Sequence, residues 1–362
     1  MGAESTTKKL AMNSGANPYY YHARHRTLGE VVARGALDYR RKLDIKGINR
    51  IRSHHMLEHK VEFSIREMHA TKRGASLEAK NTISVIYHKR SSCRPLTFLE
   101  EVVIPRNIAW LACQGIGRII LQTDEPYYRF LTEKIGPMQD QLYFDNNEWI
   151  GKGKGLMYDR VASRCRILEK LNAIENQDRL PDKKAASCIL FIDSDLFVDA
   201  QRLLLALSMY SYESSGCLFY TSSTWQWGVN EGLLAFTAPQ WEQLQSTAYG
   251  FFSLVQKIYN SAAEDPRIQA AWPNPLNWRC GQAILNAMLP SNSIVSFGDM
   301  IEIDGIKMRL LPGHLYNHIY NPVYNEFYAD AHRYIPSMHL TGVDKRPLMS
   351  LAKQMVQAWG QS

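Results

Sequence analysis

One apolar segment constrains the fold of this chain more than any other part of the sequence. It runs from Ala186 to Asp199, and a continuous series of Ile, Leu and Phe side chains precedes Asp193. An apolar stretch without alternation predicts a strand that is buried on both faces, as in a parallel sheet. The strand ends in Asp193 and Asp195, and in extended chain this spacing points both carboxylates to the same face. Because ligands of open α/β sheets bind beyond the carboxyl ends of the strands, we expect a site there.

The paired carboxylates predict the kind of ligand. Two carboxylates held close together repel each other and need a cation. Hard oxygen ligands suit Mg²⁺ or Mn²⁺, and such an ion can in turn hold a diphosphate. The simpler alternative is a strand end with two solvated acids, because D-x-D is a short motif.

The surrounding sequence alternates between predicted strands and predicted helices. Ile83–Tyr87 and Arg118–Gln122 are predicted strands, and residues 96–114 suit a helix that Pro105 should kink or divide. A further helix near residues 156–174 precedes the acidic strand. This alternation predicts an α/β fold with a mainly parallel sheet and flanking helices.

Changes in composition divide the chain into four parts: a flexible leader (1–22), a basic helical region (23–80), the main α/β domain (81–350) and a C-terminal tail (351–362). The first 80 residues contain 16 Lys and Arg against 8 Asp and Glu, so the whole positive excess lies there. Residues 24–73 can therefore contact an anionic surface, although a solvated helical face is the simpler explanation. We do not expect a nucleic-acid partner.

Composition also excludes other classes of protein. The six cysteines show no C-x-x-C spacing, so we expect neither a zinc site nor a disulfide framework. No apolar stretch approaches the roughly 18 residues that span a bilayer, and the N-terminus lacks the apolar core of a signal peptide. The expected location is either the cytoplasm or, for an anchorless part of a Golgi-type enzyme, the secretory pathway; the sequence does not separate them.

Two polar segments downstream of the acidic strand contain candidate site residues. Asn230-Glu231-Gly232 is a polar turn before another apolar strand, where glycine lets the backbone approach a ligand closely. Gln282 begins a short amphipathic helix, whose unpaired N–H groups suit anions or sugar hydroxyls. An ordinary loop and a polar first-turn residue are the respective alternatives.

A third segment joins three useful groups within seven residues. His339 offers an imidazole as a metal ligand, Gly342 lets the chain approach a ligand, and Lys345 offers an ammonium group to a phosphate. A lone histidine is more often structural. The combination, however, supplies a third metal ligand and a phosphate partner, which a solvated pair of acids would not need.

In this order, the segments resemble the retaining GT-A glycosyltransferases, in particular families 8 and 77. The matching motifs are Asp193-Ser194-Asp195, Asn230-Glu231-Gly232, Gly281-Gln282 through Leu285-Asn286, Leu311-Pro312 to Asn317, and His339 with Gly342 and Lys345. The resemblance covers roughly residues 81–350. It implies a GT-A fold, which is Rossmann-like with a mainly parallel sheet and flanking helices.

The resemblance implies a UDP-sugar donor and a divalent metal ion, Mn²⁺ or Mg²⁺. Asp193, Asp195 and His339 would hold the metal ion, and Gly342 and Lys345 would face the diphosphate.

Further donor contacts are expected from Tyr87, Ser194 and a helical arginine, for which we prefer Arg160 to Arg164. Gln282 would lie near the anomeric carbon, and Asn230 and Glu231 are the other candidate catalytic residues.

The chain departs from the family pattern at three positions. Gly281 stands where the family has an acidic residue, and Glu231 stands where it has a small one, so Glu231 is a candidate to compensate. Arg346 separates Lys345 from Pro347, where the family has K-P directly. An additional cation near the phosphates is the expected consequence.

The function predicted from the resemblance is metal-dependent transfer of a hexose or pentose from a UDP-sugar to an acceptor hydroxyl, with retention of anomeric configuration. The acceptor can be a glycan, a protein or a small molecule. One alternative is a GT-A fold kept as an inactive binding or scaffold protein, which Gly281 suggests. The other is a haloacid-dehalogenase-type phosphatase, but that fold needs its aspartyl nucleophile on the first strand, and at least two predicted strands precede Asp193 here.

Overall fold

The computed structural model describes most of the α/β domain. The described residues are 77–88, 94–136, 142–146, 164–168, 186–210, 217–222, 229–261, 264, 266, 300–311, 316–317, 336–340 and 345–359. The predicted leader and nearly all of the basic helical region lie outside these residues.

The described residues form ten strands and five longer helices. The strands are β1 (Thr82–Tyr87), β2 (Arg118–Thr123), β3 (Leu142–Asn146), β4 (Cys188–Asp193), β5 (Leu196–Val198), β6 (Cys217–Ser222), β7 (Val229–Thr237), β8 (Met300–Ile303), β9 (Ile306–Leu311) and β10 (Ser337–His339). The helices are α1 (Ile104–Cys113), α2 (Glu125–Ile135), α3 (Ala200–Tyr210), α4 (Trp241–Ser261) and α5 (Arg346–Trp359).

Eight of the strands form one sheet in the order β3-β2-β1-β4-β7-β6-β9-β8. The first four are parallel, with β1 between β2 and β4. Strand β7 is antiparallel to both of its neighbours, β6 pairs with β9 in parallel, and β8 closes the sheet antiparallel to β9. This confirms the predicted α/β class with a mostly parallel central sheet and flanking helices.

The acidic strand lies in the middle of the sheet, as its apolar sequence requires. Residues 188–192 are at most 1% exposed, so both faces of β4 are covered. Ile192 packs with the helices that follow β1, β2 and β5. Phe191 faces the other side, where its ring meets Phe252 of α4 edge-on at a centroid distance of 4.9 Å. Because both of its faces are packed, β4 cannot shift along the sheet, and this fixes the position of the carboxylates at its end.

The predicted helix over residues 96–114 is divided, as expected from its proline. A π-helical turn covers Leu99–Val103, and α1 follows with Pro105 in its first turn. Proline is tolerated there because the first N–H groups of a helix have no intrahelical partner.

A small second sheet brings the end of the chain to the acidic strand. Strand β10 pairs antiparallel with β5, and His339 lies opposite Leu196 in this pairing. The backbone N–H of Leu340 also donates to the carbonyl of Asp195. These contacts place His339 beside the turn that follows β4.

Helix α5 continues past residue 350, where the sequence predicts a C-terminal tail. Its apolar face buries Ala352, Met355 and Trp359 against Phe197 and neighbouring side chains. None of the helices in the described part of the chain is long and apolar enough to cross a membrane.

Candidate metal centre

Three predicted metal ligands converge at the carboxyl end of β4. His339 Nε2 lies 3.2 Å from Asp195 Oδ1 and 3.8 Å from Asp193 Oδ2. One ligand atom from each residue lies within 4.8 Å of the others. Two carboxylates and an imidazole form a suitable donor set for Mn²⁺ or a related divalent ion. The three residues therefore form a candidate metal site.

Lys345 contributes a cation to the same cluster. Its Nζ donates to Asp195 Oδ2 at 2.5 Å and also to the carbonyl of Leu340. The side chain is only 11% exposed. The ammonium group is therefore part of the centre and is not a solvated surface charge.

A buried pair of side chains fixes the orientation of the His339 ring. His339 Nδ1 lies 2.8 Å from Asn317 Oδ1, and Asn317 Nδ2 donates to Thr221 Oγ1 at 3.1 Å. A carbonyl oxygen only accepts, so Nδ1 must carry the proton of this hydrogen bond. Loss of the Nε2 proton, with Nδ1 still protonated, would therefore leave the lone pair of Nε2 directed toward the two carboxylates, as a metal ligand requires.

The charges around Asp195 keep it ionised. Burial raises the pKa of the carboxyl group, but the charges and hydrogen bonds of His339 and Lys345 outweigh that effect. The pKa of Asp195 therefore lies well below its usual range. An ionised carboxylate is the form that binds a metal ion.

Helix α1 holds the turn on which the carboxylates lie. Asn107 is fully buried, and its amide donates to the carbonyls of Ser194 and Leu196 at 3.2 and 3.1 Å. Trp110 Nε1 donates to the carbonyl of Val198 at 2.7 Å. Side chains from one helix thus fix the backbone on both sides of Asp195.

A row of polar side chains extends from Asp193 along the edge of the sheet. Tyr87 lies next to Asp193 in the β1–β4 register and next to Gln122 in the β1–β2 register. Gln122 is paired in turn with Asp145, to which its amide donates at 3.0 Å. The predicted donor residue Tyr87 therefore lies at the same edge of the sheet as Asp193, one strand from the candidate metal centre.

Glu231 lies at the same edge, on the other side of β4. Strand β7 pairs Leu233 with Ile192, so Glu231 extends beyond the end of this pairing. Its carboxylate is buried and lies 3.9 Å from the guanidinium group of Arg164. Arg164 is itself buried, with its guanidinium group 5.5 Å from the ring centre of Phe191.

The other predicted site residues are only partly described. Ser194 lies in the turn after β4, with its carbonyl bound to Asn107. The backbone of Asn230 belongs to β7. Arg160, Gln282 and Gly342 lie outside the described residues.

Sequence reasoning missed several supporting residues. Arg164, the less preferred of the two helical arginines, lies beside the predicted catalytic residue Glu231. Asn317 belongs to a matching motif but has no predicted role, and Thr221 and Asn107 were not identified. Only Asn317 had a usable signal in the sequence, its position after the Leu311-Pro312 pair.

Comparison with solved structures found several similar chains. The chain is similar to a glycosyltransferase involved in the glycosylation of the major capsid of PBCV-1, with 12% sequence identity and a TM-score of 0.39 over 72% of this chain and 95% of that chain. It is also similar to mouse xyloside xylosyltransferase 1, with 7% identity and a TM-score of 0.39 over 71% of this chain and 97% of that chain. A putative glucose-1-phosphate thymidylyltransferase from Bacillus anthracis gives 10% identity and a TM-score of 0.30, over 50% of this chain and 77% of that chain.

No protein-family model and no curated protein matches the sequence. The fold and the site define an α/β protein with a candidate divalent-metal centre at the carboxyl edge of its parallel strands.

Proposed function

We propose that this protein is a metal-dependent glycosyltransferase. It would transfer a hexose or pentose from a UDP-sugar to a hydroxyl group of a glycan, a protein or a small molecule. The uridine nucleotide, Mn²⁺ as the preferred ion and retention of anomeric configuration follow from the family resemblance in the sequence. The anionic-surface contact of residues 24–73 remains a separate prediction.

The convergence of four groups at one strand end is the observation that supports the proposal. Asp193, Asp195 and His339 surround a position suited to a divalent ion, and Lys345 brings an ammonium group to the same position. Two acidic ligands alone would suit many cations. A lysine beside them, only 11% exposed, suits a ligand that has its own negative charge, such as a diphosphate.

Each group has a distinct task in the proposed reaction. A bound divalent ion would act as a Lewis acid, stabilising the negative charge that develops on the departing diphosphate. Lys345 would hold a phosphate oxygen and stabilise the same charge from another direction. His339 and the two carboxylates would fix the position of the ion, so the centre needs no rearrangement as the bond breaks.

Other residues are assigned to the sugar part of the donor. We assign Glu231 and Asn230 to the donor-sugar side of the centre, with Gln282 as a dipolar group near the anomeric carbon. The Arg164 ion pair supports this role for Glu231, because it fixes a carboxylate at the sheet edge beside β4. The acceptor would attack on the face that the diphosphate leaves, and a leaving phosphate oxygen would take the acceptor proton.

Released nucleotide is the direct test of the proposal. The protein is incubated with a panel of UDP-sugars and Mn²⁺, and UDP release is measured for the wild type, Asp195→Asn and Asp199→Asn. We expect at least a hundredfold loss of release in Asp195→Asn, since it removes a metal-ligand charge. Asp199→Asn is the matched control, because Asp199 is also a buried aspartate but caps α3 through the N–H of Arg202.

The other outcomes identify the alternatives. Phosphate released from simple phosphoesters would contradict transfer and indicate a phosphatase. UDP-sugar bound with Mn²⁺ but not turned over, across a broad acceptor panel, would indicate an inactive binding protein.

A further inference from the structure

Lys345 contacts the carboxylate group of Asp195, which the proposed metal ion also needs as a ligand. Its Nζ contacts Asp195 Oδ2, while His339 Nε2 lies against Oδ1 of the same residue. Each oxygen of Asp195 is therefore in contact with a nitrogen from another residue. A divalent ion that binds Asp195 has to displace or share at least one of these contacts.

The ammonium group is well placed to exchange partners. The backbone of Lys345 is fixed, since its carbonyl accepts a hydrogen bond from the N–H of Met349 at 3.1 Å in the first turn of α5. The side chain, in contrast, is a flexible stem with a compact charge at its tip. Lys345 can therefore leave Asp195 by side-chain rotation, while α5 stays in place.

A diphosphate changes this balance. In its absence, Asp195 is the anion that Lys345 contacts, and the ammonium group competes with the metal ion for the same oxygens. When a diphosphate binds, its oxygens offer Lys345 another anion and release Asp195 to the metal ion. By thermodynamic linkage, the ligand that removes the competitor must also bind more tightly when the metal ion is present.

We propose that Lys345 is an exchangeable internal cation, which holds Asp195 in the metal-free site and transfers to the diphosphate when the donor binds. Metal and nucleotide binding are thereby positively coupled, and the metal ion alone binds weakly. This inference rests on the proposed function, because it requires that the centre binds both a divalent ion and a diphosphate.

Mn²⁺ binding measured by electron paramagnetic resonance tests the proposal without any turnover. The proteins are the wild type, Lys345→Met and the control Lys353→Met, in which an exposed lysine of α5 loses the same charge. In the absence of nucleotide, we expect Lys345→Met to bind Mn²⁺ about tenfold more tightly than the wild type, within the usual range of coupling between sites. Lys353→Met should match the wild type.

The second arm repeats the titration with saturating UDP. UDP should raise the Mn²⁺ affinity of the wild type about tenfold more than it raises the affinity of Lys345→Met. Lys345→Gln serves as a second neutral variant, and circular dichroism confirms that each variant is folded. Agreement between the two neutral variants assigns the effect to the lost charge.

Different results would contradict the exchange of Lys345 and the proposed function. If the wild type binds Mn²⁺ with UDP but neither neutral variant binds Mn²⁺ more tightly without it, the exchange is wrong and the proposed function stands. If the wild type binds no Mn²⁺ even with UDP, the metal-dependent function is wrong and the exchange with it.

Discussion

At the scale of single residues, the candidate metal centre depends on the orientation of one imidazole ring. Asn317 is 1% exposed and accepts the Nδ1 proton of His339, which leaves Nε2 facing Asp193 and Asp195. Partners of this kind orient metal-ligating histidines and raise their basicity. Asn317 is therefore a positioning residue for the site.

Asn317→Ala should weaken Mn²⁺ binding by about 10- to 100-fold, because the ring loses the contact that sets its tautomer. Asn317→Asp should retain most of the affinity, since a carboxylate accepts the same proton. Both affinities can be measured by titration with Mn²⁺ in the presence of UDP. Equal affinity in Asn317→Ala and the wild type would show that the ring is held by other contacts.

Asn107 has a comparable role for the backbone. Its amide binds the carbonyls on either side of Asp195, from a helix 87 and 89 residues earlier in the chain. Neither this contact nor the one between Asn317 and His339 could be predicted from the sequence, because each joins residues that only the folded chain brings together. Asp193, Asp195, His339 and Lys345 could be predicted, since their residue types match a definite chemistry.

At the scale of secondary-structure elements, the 3₁₀ turn Ala79–Asn81 lies against the backbone of Gly117, just before β2. The contact is so close that it leaves no room for a side chain at Gly117. A Cβ atom on Gly117 would lie 1.9 Å from the carbonyl oxygen of Lys80. The N–H of Gly117 donates to the neighbouring carbonyl of Ala79, so the two backbones cannot separate without losing a hydrogen bond.

Gly117→Ala should therefore reduce the free energy of unfolding by about 3 kcal/mol. Gly250→Ala is the matched control, since Gly250 lies inside α4 and a Cβ atom added there would meet no neighbouring part of the described chain within 4 Å. That substitution should stabilise the protein by about 0.5–1 kcal/mol, because alanine loses less entropy in a helix. Urea denaturation measures both changes, and equal effects would contradict the close approach at Gly117.

A buried ionic cluster holds together the segment between β1 and α1. Glu100 is fully buried and accepts from Arg94, from the backbone and hydroxyl of Thr97, and contacts His88 Nε2 at 3.0 Å. Burial raises the pKa of Glu100, but these contacts outweigh it, and its pKa lies well below its usual value of 4.5. The cluster therefore stabilises the fold only while Glu100 is ionised.

The sign of the pH dependence follows from this shift. A carboxyl group with a lowered pKa in the folded state contributes stability above its unfolded pKa and loses it as the pH falls below that value. Glu100→Gln should lower the free energy of unfolding by about 2–3 kcal/mol at pH 7, since it removes charged hydrogen bonds. The difference in free energy of unfolding between Glu100→Gln and the wild type should become smaller as the pH falls from 5 to 3, near and below the unfolded pKa of about 4.5. Urea titrations at several pH values measure it, and a constant difference would contradict the assignment.

The elements themselves were predictable where apolar patterning is strong. The buried strand β4 and the alternation before it predicted the parallel part of the sheet, because these patterns are local. The antiparallel direction of β7 was not predicted, since its sequence is apolar in either direction. The sequence did not predict helix α5, because the face that makes this helix stable packs on Phe197 and other side chains distant in sequence.

At the scale of the whole molecule, the centre joins distant parts of the chain. Asp195 and His339 are 144 residues apart in sequence, and the pairing of β5 with β10 brings them together. Helix α5 comes next among the described elements and packs on Phe197 and Met338 of this small sheet. The ring centres of Trp359 of α5 and Trp110 of α1 lie 5.9 Å apart. The end of the chain thus supports both the histidine ligand and the lysine of the centre.

Trp359→Ala should lower the free energy of unfolding by about 3–5 kcal/mol, because it removes a large buried side chain. It should also weaken Mn²⁺ binding under conditions in which the protein remains folded, since β10 loses part of its support. Chemical denaturation and Mn²⁺ titration measure the two effects. Loss of stability with unchanged Mn²⁺ affinity would show that β10 is held without α5.

The central claim is that Asp193, Asp195 and His339 hold one divalent ion that binds a nucleoside diphosphate. A crystal structure of the protein with Mn²⁺ and UDP, with anomalous diffraction data from manganese, tests it most directly. We predict one anomalous peak within coordination distance of all three side chains and of the diphosphate, with Lys345 on a phosphate oxygen. A peak elsewhere, or UDP bound with no manganese between these residues, would contradict the claim.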